Sequence, residues 1–303
     1  MFAGLSAFPL TPFTGAGPDG GGVPDLAAYA RLVAGLAAAG VDSIGALGST
    51  GGYAYLQRED RRALAQAAVR AAGSTPVIVG VGAMTTREVL GHAEDAEEAG
   101  AAGVLLPPLG YQPLRPAEVR ALFERVTAAT SLPVVVYDNP ATTGFTFTDE
   151  VHAEVAALPG VVSIKLPPVD ADPDRARADL AHLRSRLPDE VTLGVSGDRA
   201  GARGLLAGCD TWYSVLAGVF PHTCLAITRA ALDGDAAFAT ELSVRLDPVW
   251  DLFDRFGSYR VVSAIAAETG LVTPEGLHHP VLPLAGDERE AVRAALSAAG
   301  PLD

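Results

Sequence analysis

Lysine is all but missing from this chain: of its 22 basic residues 21 are arginines, and Lys165 is the single lysine. Side-chain amine chemistry is thereby confined to one position, because a guanidinium stays protonated at any working pH and cannot act as a nucleophile. Cysteine is nearly as scarce. Cys209 and Cys224 are too few and too loosely spaced for a disulfide framework or a zinc site, which implies a cytoplasmic protein with reduced thiols. Positive charge is outweighed, with 36 acids giving a net charge of −14, so the surface repels phosphate backbones and anionic lipid heads; neither nucleic acid nor a membrane is an expected partner. No apolar run reaches membrane-spanning length. The stretch Met1–Thr11 lacks a basic region and is broken by Pro9, with Pro12 just beyond, so neither a secretory signal nor an anchor is expected there.

What the chain does have is a rhythm. Short apolar runs recur at Leu5–Leu10, Ser43–Gly48, Pro76–Val81, Gly103–Leu106, Pro133–Tyr137, Val161–Lys165, Val191–Val195 and Thr211–Ala217. Between them lie Ala-rich segments with helical periodicity, such as Leu26–Ala39, Arg58–Ala72, Arg87–Ala99 and Pro116–Ala129. Thr85 or Thr86 before Glu88 reads as a helix start, and Gly40, Gly73 and Gly100 read as helix stops. Such alternation predicts a (β/α)₈ barrel over residues 1–220, with its active site at the C-terminal ends of the strands. A doubly wound sheet is disfavoured because the first run is followed by Thr11-Pro12-Phe13-Thr14, with no glycine-rich dinucleotide fingerprint. Residues 221–303 read as helices only, including Ala236–Phe256, Ser258–Thr269 and Asp287–Ala299, and are expected to pack on the barrel as part of one structural unit.

The strand ends hold the candidate chemistry. Lys165 closes the β-branched run Val161-Val162-Ser163-Ile164. A lysine so placed is expected to be buried, and a buried, unpaired ammonium is costly enough that it usually has a task; desolvation releases its proton and leaves a nucleophilic amine. Tyr137 ends the preceding run, so in a barrel the two are neighbours, and a phenol can shuttle the protons that imine formation requires. Gly48-Ser49-Thr50-Gly51-Gly52 offers backbone N–H groups and two hydroxyls to a carboxylate, or is an ordinary tight turn. Ser196-Gly197-Asp198 fits a helix N-cap, and Gly197 also permits close approach of a ligand.

Together these segments resemble the dihydrodipicolinate synthase and N-acetylneuraminate lyase superfamily of Schiff-base barrel enzymes. Gly48-Ser49-Thr50-Gly51 is similar to the family's Gly-Thr-Thr-Gly turn, Tyr137-Asp138-Asn139-Pro140 to its Tyr-Asn-x-Pro, Ile164-Lys165 to its Ile-Lys strand end, and Ser196-Gly197-Asp198 to its Gly-Asp turn. The likeness runs from Phe8-Pro9-Leu10-Thr11-Pro12 to Gly257-Ser258-Tyr259-Arg260-Val261-Val262. It implies a homotetramer or dimer, no metal and no organic cofactor. It also implies an imine between Lys165 and a 2-oxo acid, commonly pyruvate, with Tyr137 moving protons and Ser49 and Thr50 holding the carboxylate, helped by the backbone near Gly197 and Tyr213. Histidines 92, 152, 182, 222, 278 and 279 show no ligand spacing that would favour a metal-dependent aldolase.

The chain departs from the family pattern at three places. Gly52 stands where the family has Glu, and Leu109-Gly110 replaces the usual tyrosine pair, with Tyr111 one place later as the remaining relay or mouth candidate. Thr142 stands where dihydrodipicolinate synthases carry an arginine for the second substrate's carboxylate. These changes shift the expectation from a dihydrodipicolinate synthase, the alternative, to an aldolase or dehydratase acting on a 2-keto-3-deoxy sugar acid or another substituted pyruvate. A 2-oxo-acid binding protein without turnover is the alternative of a different class.

Overall fold

Alternation of side-chain direction along short strands sets what this chain builds. The computed structural model describes residues 2–14, 22–272 and 277–303. Within them eight parallel strands close into a barrel: β1 Gly4–Ala7, β2 Ser43–Ala46, β3 Val77–Gly80, β4 Gly103–Leu106, β5 Val134–Tyr137, β6 Val161–Leu166, β7 Thr192–Val195 and β8 Thr211–Ser214. Closure is made by β1, which pairs Leu5 with Trp212 on one side and Ser6 with Ser43 on the other. The (β/α)₈ expectation is met. The strands are shorter than several of the apolar runs; β2, for instance, ends at Ala46 because Leu47 turns left-handed at φ 57°.

Helices α1 Leu26–Ala39, α2 Arg58–Ala72, α3 Thr86–Ala99, α4 Pro116–Ala129, α5 Asp149–Ala156, α6 Pro173–Arg184, α7 Gly201–Ala207 and α8 Pro221–Leu232 follow the strands around the outside. Their ends obey local chemistry. Thr85 caps α3 through a reciprocal box with Glu88, while Gly40 and Gly100 close α1 and α3 at φ 84° and 81°. Outward strand residues such as Ile44, Val79, Val104, Val136, Ile164 and Leu193 join the main core beneath these helices. The inward set is separate and more aromatic: Phe8, Ile78, Leu105, Val135, Tyr137 and Tyr213.

The segment expected as one helix over Ala236–Phe256 is two, α9 Ala236–Arg245 and α10 Asp247–Phe256, joined at Leu246. Pro248 is the cause. It has no N–H to give the carbonyl of Val244, and its ring crowds that carbonyl, so the helix restarts on a new axis. Helices α11 Ser258–Glu268 and α12 Asp287–Ala299 complete the C-terminal part; α10 packs against both. No helix among the described residues is long and apolar enough to cross a membrane.

Candidate active site

Strand register brings the lysine and the tyrosine together. Val136 pairs with Ile164 and Tyr137 with Lys165 across β5 and β6, so the first pair points out to the core and the second points into the barrel at the strands' C-terminal ends. Room for large side chains inside so small a ring comes from glycine. A Cβ on Gly45 would stand 2.2 Å from the Phe8 ring, and one on Gly194 would stand 2.2 Å from Tyr213. Phe8 and Tyr213 therefore fit the interior, edge to face with ring centres 6.0 Å apart.

Lys165 is 4% exposed and sits in a cage of three rings. Its Nζ lies 4.4 Å from the ring centre of Phe8, 5.0 Å from that of Tyr137 and 5.3 Å from that of Tyr213. Burial pushes the amine down from 10.5 to about 7, against the pull of the Asp198 carboxylate, which favours the ammonium. The aromatic faces also favour the cation, but full loss of hydration outweighs them. The free amine is thereby brought within reach of neutral pH, in an apolar surrounding that favours the uncharged nucleophile.

Three neighbouring segments supply polar groups. Tyr137 Oη lies 3.3 Å from Ser49 Oγ and accepts a 2.8 Å hydrogen bond from Asn139 Nδ2. The turn carrying Ser49 and Thr50 is set by left-handed Leu47, a conformation costing about 1–3 kcal/mol for a residue with a Cβ. It is also anchored by Thr11, whose hydroxyl donates to the Gly51 carbonyl at 2.7 Å. After β7, Ser196 donates to the Leu166 carbonyl at 2.7 Å, which ties the β6 and β7 ends together beneath Gly197. Asp198 accepts from the N–H groups of Val215 and Leu216 at 3.1 and 2.6 Å and from Trp212 Nε1 at 3.2 Å, and burial raises its carboxyl above the usual range.

Of the residues singled out in the sequence, Ser49, Thr50, Tyr137, Thr142, Lys165, Ser196, Gly197 and Tyr213 line one cavity of about 530 Å³. Tyr213 contributes its ring as wall; its hydroxyl is engaged 2.8 Å away with Ser163, one pleat below the lysine on the same strand. Tyr111 is the exception: it is 89% exposed and does not line the cavity of its own chain. Several lining residues had no role in the sequence reading. Phe8 lay inside the Phe8-Pro9-Leu10-Thr11-Pro12 segment and Asn139 inside Tyr137-Asp138-Asn139-Pro140, both in view but without a role. Arg199, like Arg115, is an arginine the sequence offers as a stand-in for the one missing at Thr142, whereas Arg203 carried no local signal.

The departure at Gly52 has a steric reason. Its φ is 66°, and a Cβ there would approach the Tyr259 hydroxyl to 2.7 Å, so the space a glutamate would need is taken by a tyrosine from α11. Tyr259 lines the same cavity, which shows that the C-terminal helices help to build the mouth.

A profile of the dihydrodipicolinate synthetase family matches residues 1–299. The chain belongs to this family. It is 33% identical over 278 residues to the 4-hydroxy-tetrahydrodipicolinate synthase of Thiobacillus denitrificans, covering 91% of each protein. It is 30% identical over 304 residues to that of Phenylobacterium zucineum, covering 99% of this chain and 98% of the other. Among solved structures, a dihydrodipicolinate synthase from Agrobacterium tumefaciens superposes with a TM-score of 0.92 at 44% identity, over 99% of this chain and 98% of that one. Members of the dihydrodipicolinate synthetase family are pyruvate-dependent Schiff-base lyases and aldolases, and this chain is an enzyme of that class.

Proposed function

We propose that the protein cleaves or dehydrates a 2-keto-3-deoxy sugar acid, or a closely related substituted pyruvate, through an imine on Lys165. The observation that carries this reading is the single lysine, caged by rings and in register with Tyr137. In the proposed course Lys165 Nζ attacks the C2 carbonyl, and Tyr137 returns a proton to the departing oxygen as water leaves and a protonated imine forms. The imine then draws electrons as the C3–C4 bond breaks, with the C4 hydroxyl proton passing to Tyr137 and an aldehyde departing. The resulting enamine takes a proton at C3, and water releases pyruvate and restores the amine. In the dehydration variant the C3 proton is lost and C4 hydroxide leaves as water from the same imine.

In this reading Ser49 and Thr50 hold the carboxylate, helped by the backbone at Gly197; all three line the cavity with Lys165. Thr142 supports a hydroxylated tail. It lies exposed on the cavity wall and offers a neutral hydroxyl where synthases of the family carry a guanidinium. The names of the curated relatives favour the other reading, condensation of pyruvate with aspartate semialdehyde. Neither candidate replacement for the missing arginine is free for that role: Arg115 does not line the cavity and is held in an exposed pair with Glu118, and Arg199 is bound by aspartates. The reading includes a homo-oligomer, a dimer or tetramer, in which a partner's Tyr111 can reach the site; sedimentation gives the state, and Tyr111→Phe tests the reach.

The deciding experiment incubates the protein with a panel of 2-keto-3-deoxy aldonic and aldaric acids, scoring released pyruvate and, separately, loss of substrate by dehydration. A parallel assay supplies pyruvate and aspartate semialdehyde with a coupled reductase. Turnover of the panel is expected. Condensation at kcat/KM of about 10⁴ M⁻¹s⁻¹ or more with an inert panel makes the protein a dihydrodipicolinate synthase, and imine trapping without either turnover makes it a binding protein.

A further inference from the structure

The cavity holds more positive charge than it uses. Its lining cations are Lys165, Arg199 and Arg203, and its lining acids are Asp198 and Asp254. Asp198 is consumed by two backbone N–H groups and the Trp212 indole. Arg199 is over-compensated: Asp247 at 3.3 Å, Asp254 at 3.1 Å and Asp251 all meet its guanidinium from one face of α10.

Arg203, one helical turn further along, has none of this. No carboxylate among the described residues lies within ion-pair distance of it, its Nε is buried without a hydrogen-bond partner, and its one polar contact is Val169 O at a long 3.5 Å. A planar fork of donors that is half withdrawn from water and left unpaired is the arrangement that a planar or tetrahedral anion completes. The three aspartates around Arg199 add a second effect. They stop that neighbour from competing for the anion and leave Arg203 as the cation that discriminates.

We infer that Arg203 determines specificity in this site, and that the substrate carries a second anionic group, a carboxylate or a phosphate, at the end of its chain remote from the imine carbon. This deepens the sugar-acid reading and rests on it only for the reacting end of the substrate. In this proposal the hydroxyls along the middle of the chain face Thr142 and Ser258 and the terminal anion faces Arg203, three residues that line the cavity with Lys165. A polyol that ends in a hydroxymethyl group leaves the guanidinium unpaired, and a site built to pair a group penalises a ligand that lacks it.

The test uses 2-oxo acids matched in length and differing only at the tail. Competition against pyruvate in borohydride trapping at Lys165 compares 2-oxopentanoate with 2-oxoglutarate and 2-oxohexanoate with 2-oxoadipate, and the wild type is expected to prefer the diacid by about 10–100-fold at the chain length that spans the cavity. Arg203→Met collapses that ratio toward one, and Arg203→Lys retains part of it, since a point charge replaces the fork. A turnover arm compares a 2-keto-3-deoxy aldonate, its terminal phosphate and its terminal carboxylate; whichever anion is favoured identifies the source. Equal competition by monoacid and diacid at every length, or a diacid preference that survives Arg203→Met, overturns the inference. An inert sugar-acid panel with the diacid preference intact instead sinks the sugar-acid reading and leaves the role of Arg203 standing.

Discussion

Lys165 and Arg199 line the same cavity and are both cations by composition, but the protein treats them in opposite ways. Lys165 lies at the floor among three aromatic rings, and its charge is discouraged; its placement follows from register between adjacent strands. Arg199 lies at the mouth, partly exposed, and its charge is pinned by carboxylates 48 and more residues later in the chain. Moving the floor amine from 10.5 to about 7 disfavours the ammonium by about 5 kcal/mol. At the mouth, solvent screens each ion pair to about 0–1 kcal/mol, so three are used where a buried site would use one. Reactivity is thus built by removing water, and shape by tying ends together where water remains.

Breaking the floor should produce the largest effects. Lys165→Arg keeps a charge but cannot form an imine, so borohydride with pyruvate should leave the intact mass unchanged and turnover should fall about 10⁴-fold or more. Tyr137→Phe should fold normally and lose about 10²–10⁴-fold in kcat, the range for positioned acid–base catalysis. A rate within a few-fold of wild type would move the proton relay elsewhere, with a partner's Tyr111 the next candidate. Asn139→Ala removes the 2.8 Å bond to the phenol oxygen and should cost about tenfold in kcat, as expected for a hydrogen bond to a group that gains charge.

The same comparison can be sharpened by pH. Because the folded amine titrates near 7 and the unfolded one at 10.5, the unfolded chain binds the extra proton between those values, and stability attributable to Lys165 rises with pH across that window. Denaturant titrations should show wild type gaining about 2 kcal/mol between pH 7 and pH 9 relative to Lys165→Met. Imine formation with pyruvate should likewise accelerate as pH rises through about 7. A wild type and a variant with parallel stability profiles would mean that Lys165 is not desolvated as the geometry implies. The smallest effect belongs to the mouth: Asp251→Asn should change stability by less than about 1 kcal/mol, since two aspartates still meet Arg199.

Much of the floor was legible in the sequence because it is made by local pattern. Period-two alternation fixes which face of a strand a residue joins, and eight apolar runs with helices between them leave few topologies, so Tyr137 and Lys165 could be placed side by side before any coordinates. The turn carrying Ser49 and Thr50 was legible for the same reason, as it begins where a strand ends. Tertiary structure decided the rest. Gly52 is explained only by a hydroxyl from α11, some two hundred residues away. Above all, nothing local distinguishes Arg199 from Arg203. One meets three carboxylates and the other none because α10 packs against the turn carrying Arg199 and turns its aspartates to that residue alone, and the long range of that packing puts it beyond any reading of sequence neighbours.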